Sequence, residues 1–261
     1  MDFHLEPMDI KVEEGKEHYY INKRIFFKPM GIVSKANVEA TFKFAYDMTF
    51  GGKGVHRDHR SGGHHQRRLG EIFADAFQGK LAEFAIIDTL AKHGVQVPPP
   101  DLETYGEGQW DLADLVIGGR MISIKSTKAI GNLFLLETKD WDEEGRYLPS
   151  DTIYRYHFMV RLRPFGTELM KKNKLLYSDE ANRDTLAKLI MQEKWEYDIP
   201  GYINILDLKK VIACKQIIPQ GAILSKKTPM DAENYYVQAG SLRGIDRFVE
   251  KYNESKQKNK S

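Results

Sequence analysis

Three residues with complementary chemistry lie around a diglycine at positions 118 and 119. Asp114 precedes the diglycine, and Ser123 and Lys125 follow it. Apolar residues alternate on both sides, and a diglycine between two such runs indicates a tight hairpin. Antiparallel pairing would bring Asp114 across from residues 123–125, and side chains two positions apart share a face of a strand. The spacing therefore predicts a carboxylate, a hydroxyl and an ammonium group side by side.

These groups suit phosphodiester hydrolysis assisted by a divalent cation. A carboxylate and a backbone carbonyl, here those of Asp114 and Ile124, can hold a hard cation, while Lys125 orients or deprotonates water. Mg²⁺ fits because it prefers oxygen ligands and keeps several waters, so that few protein carboxylates suffice. A second acid would help, and Glu83, on a predicted helix, is the natural candidate.

The order of these residues resembles the PD-(D/E)XK nuclease superfamily, which includes the type II restriction endonucleases. The likeness covers residues 79–128, with Glu83 in a helix, then Asp114, then Ser-Ile-Lys at 123–125 followed by Ser-Thr. It implies an α/β fold with a mixed central sheet flanked by helices, and a catalytic site at one edge of that sheet. The site would comprise Glu83, Asp114, Ser123 and Lys125, with Mg²⁺ bound by Glu83, Asp114 and the Ile124 carbonyl. The expected activity is cleavage of double-stranded DNA by a homodimer, because a two-fold protein matches a palindromic target.

The chain departs from the family pattern at two positions. Ala113 stands where the family has proline, and Ser123 stands where an acidic residue is usual. Family members with Ser or Thr at that position take a glutamate from further along the chain, and Glu137 lies 12 positions beyond Lys125. Glu83 and Glu137 are thus both candidates for the second acid. Glu83 is favoured, because a helix that packs under the hairpin gives it a defined approach.

Other interpretations of these residues remain open. Asp114 and Lys125 could form an ordinary surface ion pair, and Asp111 could be the metal-binding aspartate instead of Asp114. Alternative functions are a structure-specific DNA repair or junction nuclease, and a non-catalytic DNA-binding protein in which Ser123 marks a decayed nuclease site. Glycine-rich motifs for dinucleotides or nucleotide phosphates do not occur, which disfavours a nucleotide-dependent enzyme.

Residues 51–68 are rich in glycine, arginine and histidine and predict a mobile basic loop. Its Arg57, Arg60, Arg67 and Arg68, together with Lys128, are the candidate contacts to DNA phosphates. The histidines have no cysteine partners and no zinc-finger spacing, so solvation or phosphate contact is expected rather than a zinc site. They are His56, His59, His64 and His65.

Composition sets the frame for these elements. The 261 residues carry 39 Lys+Arg and 37 Asp+Glu, so any basic surface must be local. A single cysteine and the lack of a long apolar run predict a cytoplasmic protein. The chain is predicted to form one elaborated domain over 1–261, with its core motif at 79–165. Helices are predicted from near Ser34 and over 80–93, 184–195 and 244–250, and strands over 152–162, 202–208 and 211–218. The polar tail 251–261 is expected to fray.

Overall fold

The computed structural model describes residues 3–53, 66–103, 113–225 and 228–258. These residues form a mixed α/β structure with six α-helices and three sheets. The helices are α1 (Lys35–Met48), α2 (Leu69–Lys92), α3 (Gly166–Lys172), α4 (Arg183–Gln192), α5 (Ile205–Ala213) and α6 (Ile245–Lys258). The strands are β1 (Asp9–Glu13), β2 (Lys16–Tyr20), β3 (Gly31–Ile32), β4 (Leu115–Ile117), β5 (Arg120–Lys128), β6 (Leu133–Glu137), β7 (Tyr156–Arg163), β8 (Glu196–Asn204), β9 (Ile217–Ile218), β10 (Ile223–Leu224), β11 (Thr228–Pro229) and β12 (Asn234–Gln238).

The central sheet has five strands in the order β3-β8-β7-β5-β4. The β5 and β7 strands are parallel and the other neighbours are antiparallel, so the sheet is mixed. This confirms the expected α/β class with a mixed central sheet. The smaller sheets have the orders β6-β12-β9 and β1-β2-β10-β11.

The two faces of the central sheet bury different partners. One face, called here the helical face, carries Ile122, Phe158 and Tyr202 in a core with side chains of α1, α2, α4 and α6. The opposite face, called here the second face, carries Met159 and Ile203 in a core with β6, β12 and α5. Because side chains alternate along a strand, each position of β5 belongs to one of these two cores.

The predicted start of α1 and the predicted end of α2 are confirmed. The Ser34 side chain accepts a hydrogen bond from the Asn37 backbone N–H at 3.2 Å and caps α1. The α2 helix ends before Gly94, whose φ of +75° is the left-handed conformation of a C′ glycine. It begins at Leu69 rather than near residue 80, so Gly79 lies inside it. Even α2, the longest described helix, is not apolar enough to cross a membrane, and none of the other described helices is.

The strands predicted over 202–208 and 211–218 are wrong for most of their length. The structure places α5 over residues 205–213, and the extended residues are 202–204 at the end of β8 and 217–218 in β9. Asn204 caps α5 by accepting from the backbone N–H of Asp207, whose side chain accepts from the Asn204 N–H in return. The apolar residues of this segment bury one helical stripe against the second face, as Leu208 and Val211 show.

The chain beyond Glu250 is also more regular than expected. The α6 helix continues to Lys258 instead of fraying, because Phe248, Val249 and Tyr252 pack into the core of the helical face. By contrast, β7 and α4 confirm the strand expected over 152–162 and the helix expected over 184–195, with shifted ends.

Candidate active site

The predicted hairpin is present, and its turn fixes the register of the site. Gly118 and Gly119 have φ values of 56° and 74°, which a two-residue turn between twisted strands requires. Ile117 pairs with Arg120, and Leu115 pairs with Ile122. One step further along the two strands, Asp114 lies opposite Ser123, as the sequence predicted.

Asp114 is anchored to the backbone of β5. Its Oδ2 accepts a hydrogen bond from the Ile124 backbone N–H at 2.5 Å. The N–H and C=O of one strand residue point to the same edge of the strand. The Ile124 carbonyl therefore faces the edge of β5 where the Asp114 carboxylate lies.

Ser123 and Lys125 share the second face of the sheet. Ile122 and Ile124 belong to the core of the helical face, so the intervening position and the next one point the other way. Ser123 is buried, whereas Lys125 is exposed. The structure thus brings Asp114, Ser123 and Lys125 together at one end of the hairpin.

Behind Ser123 lies a buried histidine that the sequence analysis missed. His157 on β7 is the register partner of Ser123 and is fully buried. Its ring is enclosed by three aromatic rings, with centroid distances of 5.2 Å to Trp141, 5.6 Å to Tyr154 and 6.2 Å to Phe134. Neither ring nitrogen has a hydrogen-bond partner among the described residues. Burial, and to a lesser extent the Lys125 ammonium, lower the pKa of His157 to about 3, so the imidazole is neutral.

Tyr154 is a second group that the sequence analysis missed. Burial, and then the charge of Asp114, raise its pKa to about 12, so the phenol keeps its proton. No motif or spacing in the sequence marked Tyr154 and His157, because their segment also contains other polar residues such as Arg155 and Arg161. The site therefore has an aromatic wall on the second face, with Lys125 as its exposed cation.

Glu83 lies on a different side of the sheet. It is buried in α2, and its Oε2 accepts a hydrogen bond from Lys80 Nζ at 3.0 Å. Because α2 packs on the helical face, Glu83 approaches the hairpin from the side opposite to Ser123 and Lys125. The role of Glu83 as a metal ligand stays a prediction.

Glu137 ends β6, in a different sheet from the hairpin. Its alternate neighbours Leu133 and Leu135 pack toward a third core, away from the second face. Its Oε2 lies 3.5 Å from Lys139 Nζ, and burial raises the pKa of its carboxyl. The predicted competition therefore involves Glu83 on the helical face of the central sheet and Glu137 on a strand of a different sheet.

The oxygen groups of the hairpin suit a hard cation. Within the described ranges, no three His, Cys, Asp or Glu side chains are arranged to hold a metal ion. The Asp114 carboxylate and the Ile124 carbonyl nevertheless supply two hard oxygen donors at one edge of β5. This donor set fits Mg²⁺, which fills the rest of its shell with water and phosphate oxygens.

Part of the predicted basic loop is described. Arg68 stands at the N-cap of α2 and pairs with Asp179 at 2.5 Å, and Arg67 pairs with Asp75 at 3.2 Å. Lys128 at the end of β5 is exposed and lies 3.4 Å from Glu168. Several predicted residues lie outside the described ranges, namely Arg57, Arg60, the histidines at 56, 59, 64 and 65, and the alternative ligand Asp111.

No protein-family model matches the chain, and no curated protein and no solved structure matches it either.

Proposed function

We propose that the chain is a Mg²⁺-dependent endonuclease that hydrolyses double-stranded DNA, of the type II restriction kind, with a restriction endonuclease-like core. The observation that carries this proposal is the hairpin, on which Asp114 is fixed to the Ile124 N–H at 2.5 Å while Lys125 projects into solvent beside it. An ordinary cross-strand ion pair needs no carboxylate anchored to the backbone. The anchoring holds one carboxylate in place for a ligand.

Each residue has a separable role in this proposal. Asp114 and the Ile124 carbonyl would hold Mg²⁺, with Glu83 as the proposed second acid, and the bound ion would neutralise phosphate charge and make water a better nucleophile. Lys125 contacts a phosphate oxygen or positions the attacking water. The neutral His157 excludes water behind Ser123 without adding a second positive charge next to Lys125.

Cleavage of supercoiled plasmid, with Mg²⁺ and with EDTA, tests the proposal. We expect Mg²⁺-dependent cleavage by the wild-type chain and a rate about 10²–10⁴-fold lower for Lys125→Ala, the range for loss of a group that handles protons in the transition state. Lys188→Ala is the matched control, because Lys188 is also exposed but lies on α4. A wild-type chain that leaves plasmid intact, or full activity of Lys125→Ala, would refute the proposal.

A second candidate is a DNA-binding protein that does not cleave. The observation that favours it is the buried Ser123, a hydroxyl at the position where the family has an acid. DNA binding without cleavage at any Mg²⁺ concentration would identify this function. A structure-specific nuclease would instead cut branched duplexes and spare linear ones.

A further inference from the structure

Two exposed apolar side chains lie near the C-terminal end of β5. Phe26 is 89% exposed and Ile130 is 74% exposed, the two highest values among the large apolar side chains of the described residues. Single exposed apolar residues are common, but two on neighbouring segments form a distinct feature. We call these two side chains the apolar wedge.

The two segments that carry the wedge are fastened side by side. Arg161 Nη1 donates to the Ile25 carbonyl at 2.7 Å and to the Gly131 carbonyl at 3.2 Å. The Ile25 backbone N–H in turn donates to Asn132 Oδ1 at 2.7 Å. Phe26 follows Ile25 and Ile130 precedes Gly131, so the backbone segments that carry the two wedge residues lie close together.

The foundation of the wedge is buried and fully paired. Arg161 has no exposed surface and forms a two-pronged ion pair with Asp198, with distances of 2.8 and 2.6 Å. Asp198 also accepts from the Lys28 backbone N–H at 3.0 Å. Such charge-assisted bonds fix geometry. The backbone segments that carry the wedge are therefore already ordered, and binding a partner costs them little additional conformational entropy.

The charge around the wedge indicates a polyanionic partner. Residues 18–38 include Lys23, Arg24, Lys28 and Lys35 and no Asp or Glu, and residues 121–136 include Lys125 and Lys128 and likewise no acid. Lys23 and Lys128 have acidic neighbours, each at 3.4 Å, but both pairs are solvent-exposed. Exposed pairs are weak, so these cations can transfer to phosphates.

From these observations we infer that the apolar wedge, Phe26 with Ile130, inserts between base pairs of double-stranded DNA while the surrounding cations hold the backbone. Proteins that kink DNA use apolar wedges of this kind, flanked by cations that contact phosphates. The inference rests on the proposed function for its choice of DNA. The location is compatible with that function, because Lys125 lies in the C-terminal half of β5 and Ile130 follows five positions beyond it.

Binding of a mixed-sequence duplex without divalent metal tests the inference, with anisotropy for affinity and 2-aminopurine fluorescence for base unstacking. We expect wild-type binding with a rise in 2-aminopurine fluorescence. Phe26→Ala should bind about 5- to 150-fold more weakly, the range for one lost base-stacking contact, and should abolish the rise. Ile130→Ala should also weaken binding, and Leu206→Ala is its matched control with wild-type binding expected, because Leu206 is 70% exposed on α5.

Several results would overturn the inference. They are wild-type affinity of Phe26→Ala, an unchanged 2-aminopurine signal on wild-type binding, no DNA binding by the wild-type chain, or a change in oligomeric state in Phe26→Ala without a change in DNA affinity. Plasmid cleavage separates the two proposals. If the wild-type chain cleaves plasmid and Phe26→Ala binds DNA as tightly as wild type, the nuclease proposal is supported and the wedge proposal is refuted. If Phe26→Ala weakens DNA binding but the wild-type chain does not cleave plasmid, the wedge proposal is supported and the nuclease proposal is refuted.

Discussion

Replacing Asp114 by Asn and by Ala separates its charge from its hydrogen bond. In the wild-type chain the Ile124 N–H donates to Asp114 Oδ2 at 2.5 Å. Asn keeps an oxygen that can accept this hydrogen bond, but it removes the negative charge. Hydrogen bonds to charged groups contribute roughly 1.5–3 kcal/mol and neutral ones roughly 0.5–1.5 kcal/mol. Asp114→Asn should therefore lower the free energy of unfolding by about 1 kcal/mol, and Asp114→Ala by about 2–3 kcal/mol.

The activities of these two variants should be equally low. Charge stabilisation by a bound cation is worth several kcal/mol, and each 1.36 kcal/mol is tenfold in rate, so both should cleave at least about 10²-fold more slowly. Urea unfolding gives the stabilities, and plasmid cleavage in Mg²⁺ gives the rates. Wild-type cleavage by Asp114→Asn would show that the charge has no catalytic role. Equal stability of the two variants would show that the Ile124 hydrogen bond contributes nothing.

Three further predictions concern the second acid, the buried histidine and the basic loop. Glu83→Gln should lose Mg²⁺-dependent cleavage while Glu137→Gln stays nearly neutral, and the opposite ranking across a Mg²⁺ titration would assign the role to Glu137. The pKa of His157 falls from 6.5 to about 3 on folding, so between these values the unfolded chain binds the extra proton and stability decreases as pH falls. His157→Phe should remove up to about 1.4 kcal/mol of this dependence per pH unit in urea unfolding, and identical pH slopes would contradict the neutral imidazole. Replacing Arg57, Arg60, Arg67 and Arg68 by Ala should weaken binding to all DNA sequences alike. The slope of log K against log salt should become shallower by roughly 0.9 per lost phosphate contact. Lost selectivity at an unchanged slope would instead mean that these arginines read bases.

The hairpin was predictable because its signals are local. Alternating apolar residues and a diglycine are enough to set the register that brings Asp114 opposite Ser123. His157 joins the site through the parallel pairing of β5 with β7, whose register has no marker near either strand. The face on which α2 packs, and hence the approach of Glu83, is also a tertiary property.

The errors in the fold have equally specific causes. A short apolar run such as the one in α5 fits a buried strand as well as a helix by composition alone. The Asn204 and Asp207 capping pair was the local signal that favours the helix. The tail was predicted to fray because most of its residues are polar. Tyr252 is nevertheless buried against the helical face of the central sheet, a contact that the composition of the tail does not indicate.

The contact between α6 and the hairpin links the candidate site to residues far away in the sequence. A Cβ placed on Gly118 would lie 3.3 Å from the Tyr252 ring, so the C-terminal helix rests against the turn that sets the Asp114 register. The central sheet also needs early and late segments at once, because Ile32 pairs with Glu196, 164 positions later. The candidate site therefore reaches its final arrangement only when segments from residue 32 to residue 252 are all in place, and its folding depends on contacts that are distant in the sequence.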